Sequence, residues 1–213
     1  MPKITIFYSF LCLESYKVRN LITKARWVRT LKNGDKLVKL HELIKRIENC
    51  LRCYEEFEDV SHADRIRIRD WYLNGPWFFP PDKHGVKGFF GTSDVMFVCP
   101  RPSTGSFDDP ASKLFYKLLR KYGFSKAHVT DIVKCRRKAG IMSSREIGNC
   151  FQFLLREKEI LQPRIVVAVG DEAYNEIRDH FRNVRRILHY AAAYRYKKTE
   201  KLERQLEQIS KQL

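Results

Sequence analysis

Short apolar runs alternate with amphipathic stretches through the second half of the chain. Val95-Met96-Phe97-Val98, Val129–Val133, Ile165–Val169 and Val184–Leu188 are separated by 111–122, 145–161 and 171–181, which carry apolar positions at helical spacing. Runs of four or five apolar residues read as buried strands, and the longer periodic segments as helices. Strands that alternate with helices imply a mostly parallel sheet covered on both faces. Gly123 and Gly170 stand where such units turn. The predicted fold class is therefore a three-layer α/β/α sandwich on a mostly parallel four-stranded central sheet, with a helical N-terminal extension. After Ala191 the chain is rich in Lys, Arg, Glu and Gln, with Leu202, Leu206 and Ile209 on one stripe. That pattern predicts a closing helix.

The first half reads differently. Val18, Leu21 and Ile22, then Leu37, Leu40, Leu43, Ile44 and Ile47, recur at helical spacing, and Asn33-Gly34-Asp35 interrupts them as a turn. Two helices, about 15–31 and 35–49, are expected. From Trp71 to Gly91 aromatics, Gly and Pro replace any periodicity, which predicts an irregular aromatic loop. No internal repeat is visible. The expected organisation is a basic helical extension over 1–49, an α/β domain over 50–195 and a C-terminal helix over 196–213.

Composition narrows the function. At 213 residues and 44% apolar content the chain can close a core of its own. Forty-one Lys and Arg against twenty-five Asp and Glu give a formal charge of +16 and a pI near 9.7, a bias that argues for a polyanionic partner. No stretch approaches the roughly 20 apolar residues of a membrane span, and Met1–Phe10 lacks the layout of a secretory leader. A soluble intracellular protein, in the cytoplasm or at the prokaryotic nucleoid, is expected. In that compartment cysteines act more often as metal or cluster ligands than as disulfides.

Cys50 and Cys53 form a Cys-x2-Cys pair, and Cys135 and Cys150 lie downstream with fourteen residues between them. Two soft ligands on one turn grip a metal centre, and the fold must deliver the other two. Ligand type alone leaves zinc and a [4Fe-4S] cluster open. Cys12 and Cys99 read as core residues.

The segment Val95-Met-Phe-Val-Cys-Pro-Arg-Pro-Ser-Thr-Gly105 is followed by His128-Val-Thr-Asp-Ile-Val-Lys-Cys-Arg-Arg137, Cys150, Pro163-Arg-Ile-Val-Val-Ala-Val-Gly170 and Ile187-Leu-His-Tyr-Ala-Ala192. In this order the motifs resemble those of the uracil-DNA glycosylase superfamily, most closely its iron–sulfur family four, over about residues 50–195. The resemblance implies a [4Fe-4S] cluster on Cys50, Cys53, Cys135 and Cys150, structural rather than redox, with zinc as the lesser alternative. It also implies a DNA glycosylase of base-excision repair, which hydrolyses the N-glycosidic bond of a flipped-out uracil or other deaminated or modified base. By analogy His189 donates a hydrogen bond to the departing base. Phe107, in Phe-x-x-Pro-Ala, resembles the aromatic that stacks on the target base in the mismatch-specific branch.

Departures from the family pattern bear on the substrate. Asp131 stands where the family has an Asn that reads the base edge. An ionised carboxylate only accepts hydrogen bonds, whereas a protonated one also donates. The family's Gly-Glu-Ala-Pro-Gly loop is here Cys99-Pro100-Arg101-Pro102-Ser103, without a carboxylate to activate water, and Tyr190 replaces a Pro after His189. Asp108 and Asp109 are the nearest acids in sequence. The loop residues Arg101, Pro102, Ser103, Thr104 and Gly105 are expected to hold the substrate, with the backbone N–H groups of the non-proline positions as donors. Lys134, Arg136, Arg137, Arg185, Arg186 and Arg195, with Lys138, Lys197 and Lys198 beside them, are expected to meet DNA phosphates. The expected partner is single- or double-stranded DNA, bound by a monomer. Two other classes compete: a non-catalytic iron–sulfur nucleic-acid-binding protein of the same fold, and a zinc-ribbon-like adaptor.

Overall fold

The protein was analysed as a computed structural model that describes residues 34–57, 60–70, 75–80, 82–102, 109–136 and 142–213. The chain divides into two compact units, 1–38 and 39–213. The first is described only over 34–38, which is helical, and the second carries everything below. The helix expected over 15–31 lies outside the described residues. The helix expected over 35–49 is present as α1 over 34–48.

Four strands form one parallel sheet in the order β2-β1-β3-β4: β1 is Val95–Cys99, β2 His128–Asp131, β3 Ile165–Val169 and β4 Val184–Ile187. The register sets Cys99 beside Asp131, Val98 beside Ala168 and Val169 beside Ile187. β1 and β3 are buried at every position, as strands of a parallel sheet covered on both faces must be. The expected α/β fold is thus present, and its sheet is wholly parallel.

Alternation along each strand sorts the core into two layers. Val95, Phe97, Cys99, Val129, Val167 and Ile187 face one layer, completed by Phe115 and Leu119 of α3 (Pro110–Lys121), Ala193 of α6 (Tyr190–Arg195) and Leu202 of α7 (Thr199–Ser210). Met96, Val98, Val166 and Ala168 face the other, built with Cys150 and Leu154 of α4 (Ser144–Leu161) and Ala173 and Ile177 of α5 (Asp171–Ile177). A third cluster packs Leu40, Leu43 and Ile47 of α1 against Phe153, Ile160 and Leu161 of α4 and against Phe89. α4 is therefore apolar on more than one side, which suits a helix packed between elements.

Local chemistry fixes where the helices begin. Asp109 caps α3 by accepting from the Ser112 N–H at 2.8 Å, with Pro110 in the first turn. Ser143 and Glu146 form a reciprocal capping box on α4. The closing helix departs from expectation. It is split into α6 and α7 at Lys197, whose φ is 54°. The aromatic loop around residues 75–91 is irregular apart from two 3-10 turns, and Phe79 and Phe89 lie buried in it. Preceding α4 in the chain are a 3-10 segment, Arg52–Phe57, and α2, His62–Asp70. No helix among the described residues is long and apolar enough to cross a membrane.

Candidate active site

A parallel sheet delivers the ends of its strands to one rim, where the βα turns leave room for a ligand. Asp131 ends β2, Cys99 ends β1, Gly170 follows β3 and His189 follows β4. Residues as far as ninety positions apart in the chain are brought to this rim by the register alone.

His189 is the N-cap of α6 and its Nδ1 accepts from the Ala191 N–H at 3.1 Å. An accepting Nδ1 is unprotonated, so in the neutral ring the proton sits on Nε2, which is thereby a donor. Burial lowers the His189 pKa to about 4, so the ring is neutral at physiological pH. Its position is held on two sides. The ring stacks on Tyr190 at 4.5 Å, which stacks in turn on Phe115 at 4.8 Å. Gly170, with φ of 95°, backs onto it so closely that a Cβ there would lie 3.1 Å from the His189 Cβ.

Asp131 is only 2% exposed, and its Oδ1 makes no hydrogen bond among the described residues. Burial raises its pKa to about 8; Lys134 opposes the rise and Glu157 adds to it. The carboxyl is accordingly neutral at pH 7 and both donates and accepts. The Tyr190 phenol, raised by burial, lies within electrostatic reach of Cys99, Asp131 and Asp109 and hydrogen-bonds Ser112. Tyr190 therefore joins the His189 side of the rim to the Asp131 side.

Behind Asp131 lies a buried polar network that sequence reasoning missed. The Lys134 ammonium donates to Thr130 Oγ1 at 2.7 Å and to the Asp131 carbonyl, and pairs with Glu157 Oε1 at 2.6 Å. Glu157 Oε2 meets His128 Nε2 at 3.1 Å. Lys134 and Glu157 are 1% and 0% exposed. Lys134, expected on the DNA face, is thus withdrawn from it, because its charge is spent on a buried carboxylate. The available signal was Glu157 itself, an acid on the apolar stripe of α4 that also carries Cys150, Phe153 and Leu154.

The other expected contacts are dispersed. Arg101 is mostly buried, with Nη2 3.6 Å from Glu146 Oε2 and its Nε and Nη2 without a hydrogen bond among the described residues. Pro102 is buried. Ser103, Thr104, Gly105, Phe107, Asp108, Arg137 and Lys138 lie outside the described residues. Asp109 is committed to the α3 cap, where its two oxygens accept from the Ser112 N–H and Oγ. Arg136 lies over the Trp77 ring at 5.0 Å. Arg185 and Arg186 point to opposite faces of β4, the first donating to Gln212 and the second to Asp171. They do not form one patch. Arg195 is exposed in the last turn of α6.

The four candidate ligands lie in the neighbourhood of α4. Cys150 lies in its first half, and Asn149 donates to Cys53 Sγ at 3.3 Å and to the Arg52 carbonyl at 3.2 Å. Arg69 donates to the carbonyls of Glu48 and Cys50, fixing the end of α1. Burial pushes the Cys135 thiol far up, and Cys150, Cys53 and Cys50 all add to the rise, so the four sulfurs sense one another. Among the described residues, no three His, Cys, Asp or Glu side chains close into a metal-holding group. Four thiols that influence one another electrostatically are a donor set whose chemistry suits a thiolate-held centre.

Residues 88–212 match the profile of the uracil DNA glycosylase superfamily. The match spans more than half of the chain, and the chain belongs to that superfamily. Its members are typically DNA glycosylases of base-excision repair, and they act on DNA. The matched region reaches through α7, so the C-terminal helix is inside it. A search of the curated proteins returns no match.

Proposed function

We propose that this chain removes a deaminated or otherwise modified base from DNA by hydrolysing the glycosidic bond of a nucleotide turned out of the stack. Superfamily membership and the basic charge support a DNA substrate. The observation that carries the catalytic reading is the state of His189: neutral, with Nδ1 occupied by the Ala191 N–H, and therefore with its donor on Nε2.

As the C1′–N bond breaks, its electron pair goes to the base and negative charge spreads to the base oxygens. A hydrogen bond from Nε2–H strengthens as that charge grows, and so stabilises the transition state more than the ground state. The sugar becomes oxocarbenium-like, water adds at C1′, and the proton that water loses ends on the expelled base. Asp109 serves as an N-cap, and Asp131 as a neutral acid is a poor base. We therefore assign leaving-group stabilisation, rather than water activation, as the main contribution of these residues. Asp131 reads the base edge. As a neutral carboxyl it donates to a carbonyl such as uracil's and accepts from an N–H, which an Asn amide also does.

Cys50, Cys53, Cys135 and Cys150 are the residues that would hold a [4Fe-4S] cluster. Such a cluster supplies a structural crosslink between the end of α1, the turn after β2 and α4, and the hydrolysis needs no electron from it. Arg136 and Arg195 are retained as phosphate contacts.

The test is single-turnover base release from single- and double-stranded oligonucleotides that carry uracil, hypoxanthine, xanthine, thymine or cytosine. Release that is lost in His189→Ala supports the assignment. Binding without release of any base by cluster-loaded protein overturns it.

A further inference from the structure

Along α6 the rim continues into a surface of different character. Tyr194 and Tyr196 are 51% and 62% exposed, and Arg195, Lys197 and Lys198, interleaved with them, are exposed as well. The turn that carries these residues is fixed by backbone bonds. Lys198 N–H donates to the Ala193 carbonyl at 2.8 Å, Lys197 N–H to Tyr194 at 3.3 Å and Tyr196 N–H to Ala192 at 3.0 Å. The first two are the paired bonds of a Schellman helix end, whose left-handed position favours glycine. Here that position holds Lys197, with φ of 54°. A side chain kept in left-handed backbone, directly after two aromatics kept in water, is costly to the fold on both counts, and such costs collect at functional sites.

Both features select the same ligand. Lysine and arginine attract phosphates, while tyrosine faces stack on bases whose own faces are open. Duplex DNA presents the phosphates but hides the base faces, so it would satisfy the cations and leave the tyrosines idle. Tyr194 lies about 8 Å along the helix axis from His189, roughly two nucleotide steps from the base being excised.

We infer that the Tyr194–Lys198 turn is a stacking platform for unpaired nucleotides that flank the target base, so that this chain holds single-stranded DNA more tightly than duplex. The inference rests on the proposed function only in bringing DNA to this rim.

The test uses the full chain with a fluorescent 12-nucleotide oligothymidylate and an undamaged 12-base-pair duplex, with anisotropy read at several salt concentrations. Anisotropy reads binding and not base release, so failure here leaves the glycosylase reading standing, and an absence of base release leaves this inference standing. The single strand is expected to bind more tightly. Tyr194→Leu and Tyr196→Leu are each expected to weaken single-strand binding about 5- to 100-fold with an unchanged salt slope, while Phe at either position preserves it. Lys197→Gly is expected to raise Tm by removing the left-handed side chain, yet to weaken binding and flatten the salt slope by about 0.7. Equal losses on both probes, no loss in either leucine variant, or an unchanged affinity in Lys197→Gly would overturn the inference.

Discussion

Gly170 and His189 touch where β3 and β4 leave the sheet. The space a Cβ would fill on Gly170 lies 3.1 Å from the His189 Cβ and 3.3 Å from its Cδ2, and the Gly170 N–H donates to the Ile187 carbonyl at 2.9 Å. The missing side chain thus sets where the imidazole stands. Gly170→Ala meets both this contact and a φ of 95°, and should cost about 1–2 kcal/mol of stability. If His189 is the leaving-group donor, the single-turnover rate should fall about 100-fold while DNA affinity holds. Urea denaturation and base release on the same preparation check this; a stability loss with an unchanged rate would remove His189 from the role.

Asp131 supplies a pH signature. Its carboxyl is neutral up to about pH 8, so release that needs its proton should decline as pH rises through that value. Asp131→Asn, which cannot titrate, should abolish this alkaline limb. The stability sign follows the same proton. The folded state binds it more tightly than the unfolded chain, whose carboxyl titrates at the ordinary 3.8, so stability falls from about pH 4 upward and levels off above about pH 8. A pH–rate profile of both proteins, with a urea midpoint at each pH, decides it.

His189 has the opposite signature. Its folded pKa of about 4 is below the unfolded 6.5, so the unfolded chain binds the extra proton between those values. Stability is therefore lost as pH falls from 6.5 toward 4, on the order of 1–3 kcal/mol. His189→Gln should flatten this part of the profile. An NMR titration that finds the His189 midpoint near 6.5 would refute the buried neutral ring.

Lys134→Met removes one partner of a fully buried pair and strands the Glu157 carboxylate, at a cost of about 3–5 kcal/mol. Because the ammonium does not reach solvent, the salt slope of DNA binding should not change. Arg195→Ala should show the reverse, with stability retained and a shallower slope. A reduced slope in a folded Lys134→Met protein would restore Lys134 to the DNA face.

The thiols predict a coloured protein. Anaerobic purification should yield broad visible absorbance and about four irons per chain, lost on oxidation or in Cys135→Ala or Cys150→Ala. A colourless protein with one zinc would instead assign a tetrahedral thiolate site.

Legibility in the sequence followed periodicity. The strands at 95–99 and 165–169 are apolar throughout because both sheet faces are covered, so they stand out from their surroundings. The break at Lys197 was not visible, since nothing in Tyr-Arg-Tyr-Lys-Lys marks a left-handed residue where glycine would. Asp131 and His189 were legible as motif residues, but their protonation depends on burial that only the assembled sheet creates. Lys134 misled because it opens a basic run. Its direction is decided by Glu157, twenty-three positions away on another element.

The Lys134 clamp also bears on how the molecule opens. Thr130, the Asp131 carbonyl and Glu157 share one ammonium, so β2 cannot peel from α4 without exposing two charges to a dry interior at once. Amide protons at the end of β2 should therefore exchange with solvent only through events close to global unfolding. Lys211–Leu213, exposed beyond the end of α7, should exchange through local fraying. The rim that meets the base would then be anchored at its Asp131 side by the slowest-exchanging part of the fold.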